Sequence, residues 1–368
     1  EIYGKNLYPK DFIISLPKPD GYSGTAELFP FISDIASYEG APPNEHIYIV
    51  NISDHENLIS GNSINYADLI PESLRTAFYH FLITGVIKMN REIEELNHSF
   101  LIHVHHEIDV QSFIHEKFKS FYELFNGQYQ MSNPYDTEII RDIENYNEYA
   151  SDLLLRLGIE NINAEQILSY TRKILRRLEI LEINSQSDSE LEFSSDRPSW
   201  KILIGGNRLS RGLTISGLTV TYFTRSSIYY DTLLQMGRWF GFRKGYEDLV
   251  KLFTTADNYY WFSWLNEVEE SIRLDIARYE NTENVTPLDL AVRVKTHPGM
   301  HVTSPIKIKN ARHVQASFDG RVSSMKKINF DLNSLENNLN QLNKFISDIS
   351  LTSNTEIVKK TPVWKNVN

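Results

Sequence analysis

Cysteine is missing altogether from the 368 residues. That rules out disulfides and every Cys-based zinc site, and it leads us to expect a reducing, cytoplasmic location. No stretch approaches the roughly 18–20 uncharged apolar residues that a membrane helix needs, so no membrane partner is expected. A secretory signal pattern is also absent. Positive charge is in deficit: 37 Lys and Arg stand against 48 Asp and Glu, a formal net charge of −11. A chain with that balance is not expected to coat nucleic acid over its whole surface. The first residue is Glu1, and the last residues run inside a patterned stretch, Pro362-Val363-Trp364-Lys365-Asn366-Val367. A piece of a longer protein is the expectation at both ends.

Several kinds of chemistry are missing as well. Phosphate-cradling loops need glycines spaced ahead of Lys-Ser/Thr, yet Gly4-Lys5 lacks the earlier glycine and is followed by Asn6. An acidic pair behind an apolar strand, needed for magnesium and water, is absent too. The chain alone is therefore expected neither to bind ATP tightly nor to hydrolyse it. Metal-dependent DNA cleavage gathers acids around magnesium, but no Asp…Glu-x-Lys pattern occurs, and His115-Glu116-Lys117 lacks the intervening residue. His98, His103, His105 and His106 with Glu107 and Asp109 supply the residue types of a metal site. His103 and His105 would share one strand face, but the cluster has no known ligand spacing. A metal-dependent endonuclease site and a buried strand that happens to end in histidines are the two readings; no metal is expected.

What is present is an ordinary globular composition, 41% hydrophobic and 23% charged, with length for two domains. The centre of the pattern is Lys201 to Arg243. Ile202-Leu203-Ile204 is a continuous apolar run, as in a parallel strand buried on both faces, and it stops at Gly205-Gly206. Asn207-Arg208-Leu209-Ser210-Arg211-Gly212 follows, then a second apolar strand, Leu218 to Phe223. Asp231-Thr232-Leu233-Leu234 can start a helix carrying Gln235, Gly237, Arg238, Gly241 and Arg243. Three arginines thereby come near strand ends and a helix, where open α/β sheets keep their ligand crevice.

The blocks Gly205-Gly206-Asn207-Arg208-Leu209-Ser210-Arg211-Gly212-Leu213-Thr214 and Gln235-Met236-Gly237-Arg238-Trp239-Phe240-Gly241-Phe242-Arg243 resemble the Z1 domain. That domain forms the C-terminal part of large bacterial proteins that carry an endonuclease label and a superfamily 2 helicase module. The first block is similar to helicase motif V, with Thr214 where an Asp is usual. The second is similar to motif VI, with Arg238 and Arg243 five residues apart where helicases commonly place three. The resemblance spans about residues 10–327.

It implies an α/β fold, the second RecA-like lobe of a DNA-dependent ATPase, with a parallel sheet, a helical insertion and a C-terminal extension. In that superfamily two lobes close on ATP with Mg²⁺, so the partners implied are DNA and a missing N-terminal RecA-like lobe. Arg238 or Arg243 would reach the γ-phosphate and Gln235 would hydrogen-bond the nucleotide or an arginine. Gly205, Arg208, Arg211, Gly212, Thr214, Gly237 and Gly241 would line the phosphate-binding turns. A role in DNA restriction or phage defence is implied as well. The rival readings are a metal-dependent endonuclease and a non-catalytic docking module.

Residues 2–56 alternate short apolar runs, such as Phe12-Ile13-Ile14 and Ile47 to Val50, with many prolines and glycines, which predicts strands joined by turns. Lys18-Pro19-Asp20-Gly21-Tyr22-Ser23-Gly24 is either an ordered loop or a plain surface turn. A lead-in segment over 1–60, the lobe over 61–260 and an extension over 261–368 are expected. Helices are predicted from Pro71 to Ile93, Gln111 to Phe125, Thr137 to Leu157 and Ala164 to Ile183, making residues 110–196 a helical insertion. Arg172, Lys173, Arg176 and Arg177 on the last of these face either phosphates or water. A strand at Leu249 to Phe253 precedes Tyr259-Tyr260-Trp261-Phe262, which is core or a base-stacking surface, and an amphipathic stretch from Trp264 to Tyr279. From Arg293 to Lys327, eight basic residues face one acid, Asp319. Leu332, Leu335, Leu339, Leu342 and Ile346 then mark an amphipathic helix.

Overall fold

The structure is a computed structural model that describes residues 13–31, 44–60, 66–95, 97–185, 191–193, 197–210, 214–280, 294, 297–303, 332–352, 354–358 and 361–365. The chain divides into two compact units, 1–310 and 311–368. In the first, β1 (Tyr22–Ser23) and α1 (Thr25–Leu28) precede β2 (Ile47–Val50), α2 (Ile52–Ser60), α3 (Tyr66–Leu69), α4 (Glu72–Arg91) and β3 (His98–His103). Then come α5 (Ile108–Tyr129), α6 (Thr137–Arg156), α7 (Ala164–Arg177), β4 (Leu178–Ile183), β5 (Trp200–Gly205), α8 (Asn207–Ser210) and β6 (Leu218–Phe223). The unit continues with α9 (Tyr230–Met236), β7 (Gly241–Phe242), β8 (Lys251–Thr255) and α10 (Ala256–Glu280). The second unit holds α11 (Leu332–Thr352) and the antiparallel hairpin of β9 (Asn354–Val358) and β10 (Thr361–Lys365).

Six strands form one sheet in the order β2-β8-β6-β3-β5-β4, and every pairing in it is parallel. The three central strands β3, β5 and β6 are buried at every position, so both faces must be covered, and period 2 sorts their side chains. Phe100, Ile102, Ile202, Ile204, Val220 and Tyr222 pack under α4, α5, α6 and α7 in the largest core cluster. Phe223 and Leu252 join Leu28, Phe29, Leu233, Trp239 and Phe262 on the other side. Leu101 and Leu203 meet Leu209 in a third, smaller cluster. Phe78 of α4 stands at the middle of the largest cluster, edge-on to Phe118, Phe121 and Phe125 at 5.5–5.7 Å between ring centres.

Local chemistry sets the helix boundaries. Pro71, which has no N–H to lose, is the N-cap of α4, and Glu92 ends that helix in the left-handed region at φ 51°. The Asp136 carboxylate accepts from the Glu138 and Ile139 N–H groups at 3.0 and 3.1 Å, opening α6. Asn163 and Gln166 cap α7 reciprocally, each side chain accepting from the other's N–H at 2.9 Å. Gly205 ends β5 where only glycine fits: a Cβ there would lie 2.1 Å from the Ile183 carbonyl oxygen of β4.

Three expectations need correction. The stretch from Ala164 to Ile183 is not one helix, because α7 stops at Arg177 and Leu178 turns extended, at φ −69° and ψ 125°, to begin β4. Leu178-Glu179-Ile180-Leu181-Glu182-Ile183 satisfies either period, and pairing with β5 decides it. Helices α5, α6 and α7 are therefore the crossover between two strands of the sheet. Of the two readings of the basic residues on α7, the solvated face fits Lys173, Arg176 and Arg177, which are exposed; Arg172 donates to the Tyr129 and Met131 carbonyls at 3.1 and 2.9 Å, and Arg176 donates to the Gln130 side chain at 3.0 Å. Both close off the C-terminal end of α5, the negative end of its dipole. Early in the chain, Ile13 and Ile14 form no strand, while α2 is a helix where turns were expected. Finally, the helix from Tyr230 ends at Met236, leaving Gly237, Arg238, Gly241 and Arg243 in the loop and short strand beyond it.

Of the aromatic run after β8, Phe262 is fully buried and Tyr259 and Trp261 pack against the same cluster, so the core reading fits these three. The eight basic residues from Arg293 to Lys327 lie outside the described residues. Replacing Phe78 by Ala removes a ring with no room to collapse, and chemical denaturation should show a loss of about 3–5 kcal/mol. A loss near zero would mean the largest cluster is not the core of the unit.

Candidate anion-binding cavity

The loop after α9 is held by a hydrophobic plug. Trp239 is 1% exposed, with its ring centre 5.1 Å from those of Phe223 and Phe262. With the indole fixed in the core, the arginines before and after it are carried to one side. Arg238 donates from Nε to the Leu209 carbonyl at 2.9 Å, tying the loop to α8. Arg243 donates to three backbone carbonyls: Phe242 at 2.7 Å, Arg238 at 3.2 Å and Trp239 at 3.4 Å. Gly241, at φ 138°, makes the bend that lets the Arg243 guanidinium fold back over it, and any side chain there would be strained.

Across this loop lies the lead-in segment. Tyr22 and Ser23 pair with Phe242 and Gly241 as a two-stranded antiparallel ribbon. The Tyr22 and Phe242 rings meet edge-on at 5.4 Å. The segment is braced by Glu27, whose carboxylate accepts from the Gly24 N–H at 2.7 Å and from Lys18. Partial burial pushes that carboxyl up, but the Lys18 and Gly24 hydrogen bonds outweigh it and hold the pKa below its usual value. The stretch from Lys18 to Gly24 is thus an ordered wall and not a plain turn.

Between loop and segment is a cavity of about 520 Å³, within the range of small-molecule sites. Of the site residues expected from sequence, Thr214, Gln235, Gly237, Arg238 and Arg243 line it. Gly205 and Arg208 do not: Gly205 packs on β4, and Arg208 donates to the Asn184 carbonyl at 3.0 Å. Gly241 lies in β7 and supports Arg243 from below. Arg211 and Gly212 fall outside the described residues. The lining also includes Thr25, Glu269 and Arg273, which sequence reasoning missed. Glu269 and Arg273 sit one turn apart on α10, in a helix whose pattern carries no signal beyond amphipathicity.

The cavity lies at the opposite end of the sheet from the expected crevice. Thr214 precedes β6 and Arg243 precedes β8, so it borders the amino ends of those strands. The chain leaves β3 toward one edge and β6 toward the other, so the topological switch point is at their carboxyl ends. There His103 accepts from Arg225 at 3.1 Å, and burial, reinforced by Arg225, pushes the His103 pKa down to about 3. Among the described residues no group of three or more His, Asp or Glu side chains could hold a metal ion, and the histidine cluster does not assemble as one. His105 lies beyond the end of β3, and its own Nδ1 accepts from the Glu107 N–H at 3.2 Å.

The electrostatics of the cavity are unusual. Arg238, Arg243 and Arg273 line it, and none of the three forms an ion pair with a described residue. Burial lowers the pKa of Arg243, with Tyr246, Tyr22 and Glu95 pulling it back up, and burial alone lowers that of Arg238. Arg243 Nε is buried with no hydrogen-bond partner among the described residues. A desolvated guanidinium that spends its bonds on carbonyl dipoles and meets no described carboxylate keeps its positive charge uncompensated beside the cavity.

Fold and cavity together define a parallel α/β protein with an arginine-lined recess at the amino ends of its strands. The family model of the Z1 domain matches residues 73–302, more than half of the chain. The chain belongs to the Z1 domain family. No curated protein and no solved structure matches it. Among the described residues no helix is long and apolar enough to cross a membrane.

Three histidines fold in the neutral form: burial takes His80 and His103 down to about 3 and His98 well below its ordinary value. Their folded pKa values lie below the unfolded one near 6.5, so the stability they contribute is complete above about pH 6.5 and is lost as pH falls toward 3. Urea titrations should show stability falling between pH 6.5 and 5. His103→Gln should lower that slope by up to about 1.4 kcal/mol per pH unit, the value of one proton. An unchanged slope would mean that His103 is not held neutral.

Proposed function

We propose that this chain is the second, RecA-like lobe of a DNA-dependent ATPase, supplying positive charge to a nucleotide held against another lobe. The observation that carries the reading is the cavity bordered by Arg238 and Arg243, whose guanidinium groups are bonded to backbone carbonyls and to no described carboxylate. The six-stranded parallel sheet and the motif-like blocks around β5, β6 and α9 support it. The chain itself has no phosphate-cradling loop, so ATP and Mg²⁺ would be gripped mainly by a partner lobe. Arg238 or Arg243 would then neutralise charge growing on the transferred phosphoryl group. Gln235, exposed at the end of α9, would hydrogen-bond the phosphates, and Thr214 would add a hydroxyl. With this reading go coupling to DNA, a cytoplasmic location, and service in restriction or phage defence.

A metal-dependent nuclease finds less support, since the histidines that would carry it are spent on other contacts. In the longer ATPase, Arg238→Ala and Arg243→Ala should each cut turnover by about 10³ to 10⁵, the range seen for arginine fingers, while the unfolding transition of the chain stays cooperative. Normal turnover in both variants would remove the motor reading.

A further inference from the structure

Glu269 is out of place in an anion site. It lines the cavity with Arg238, Arg243 and Arg273, yet it forms no ion pair with any described arginine. Its Oε2 accepts from the Thr25 hydroxyl at 2.5 Å. That bond joins α1 to α10 and fixes the carboxylate at the rim facing the lead-in segment. Among the described residues no donor reaches Oε1. A carboxylate repels phosphate, so a ligand made only of phosphate would be weakened by its presence. A ligand that carries hydroxyl donors a short distance from its negative charge satisfies both halves of the lining. Carboxylates bind sugar diols in this way in dinucleotide sites. The cavity, about 520 Å³, also has room for more than a phosphate group.

We propose that Glu269 is the acceptor for the ribose hydroxyls of a nucleoside polyphosphate whose phosphates lie on Arg238, Arg243 and Arg273, with Thr25 as the positioning residue that aims the carboxylate. This rests on the anion-clamp reading above, and it adds a sugar-reading element from α10 that lies outside both arginine motifs. The cavity then distinguishes a ribonucleotide from a bare polyphosphate or a sugar lacking its hydroxyls. Thr25→Val leaves the carboxylate in place but frees it to swing, so it should lower that discrimination only in part.

Calorimetric titration of the chain with ATP, 2′,3′-dideoxy-ATP and inorganic tripolyphosphate tests this. ATP should bind at least several-fold tighter than the other two. Glu269→Ala should bring ATP down to the dideoxy-ATP level and leave dideoxy-ATP unchanged or slightly tighter. Glu269→Gln, which keeps the shape and one acceptor, should fall between, and it guards against misreading a folding defect. Arg243→Ala should weaken all three ligands. Equal affinity for ATP and dideoxy-ATP in the unaltered chain, or an equal loss of both in Glu269→Ala, overturns the assignment of Glu269. In that event Arg243-dependent tripolyphosphate binding would leave the clamp itself standing. No binding of any ligand even at millimolar concentration, where a lobe that grips ATP only weakly on its own would still take it up, or binding indifferent to Arg243, overturns both.

Discussion

The constraint on which the rest of the structure depends is that a parallel sheet must be covered on both faces. The side chains of β3, β5 and β6 are buried without exception, so each connection between strands has to bring a helix or an apolar loop back across the sheet. On one side the crossover from β3 to β4 is long enough to carry three helices. On the other, short connections leave α9 and α10 to do the covering, with α1 of the lead-in segment packed beside them. Because α9 is only seven residues long, the chain must find its way back to β8 through an irregular loop, and that loop holds the arginines.

The loop is stabilised from within the core, not by its charges. Trp239 is embedded among Phe223, Phe240 and Phe262, and that apolar anchor fixes a turn whose polar side is turned toward solvent. Carbonyl oxygens take the place that carboxylates fill at ordinary buried arginines. A carboxylate partner would neutralise Arg243 permanently, whereas dipoles orient the guanidinium and leave its net charge available. Pairing of β1 with β7 then walls off the recess with residues more than two hundred positions away in sequence.

Much of this was legible beforehand. The strand Leu218 to Phe223 and the helices beginning near Pro71 and Thr137 follow directly from apolar period and capping chemistry. The blocks around Gly205 and Gln235 identified the family, and five of the residues expected at the site do line the cavity. What could not be read was long-range. Leu178 to Ile183 suits helix or strand equally until β5 is beside it. The end of α9 depends on Phe240, whose ring lies 2.5 Å from where a Gly237 side chain would begin. Thr25, Glu269 and Arg273 enter the lining only because α1 packs on α10, a contact that no local pattern encodes.

The strand that sequence reasoning misplaced has one more consequence. β4 is an outer strand of the sheet, with one side of its backbone free of strand partners among the described residues, the arrangement through which sheets recruit further chains. Its sequence sets Glu179, exposed and joined to Lys201, and Glu182, bonded to Ser112 and Asn184, into an otherwise aliphatic run. A newcomer docking there would have to strip water from the first carboxylate and compete with the hydrogen bonds of the second. Two acids thus act as a stop signal for sheet growth, keeping an oily border from becoming a seed for aggregation.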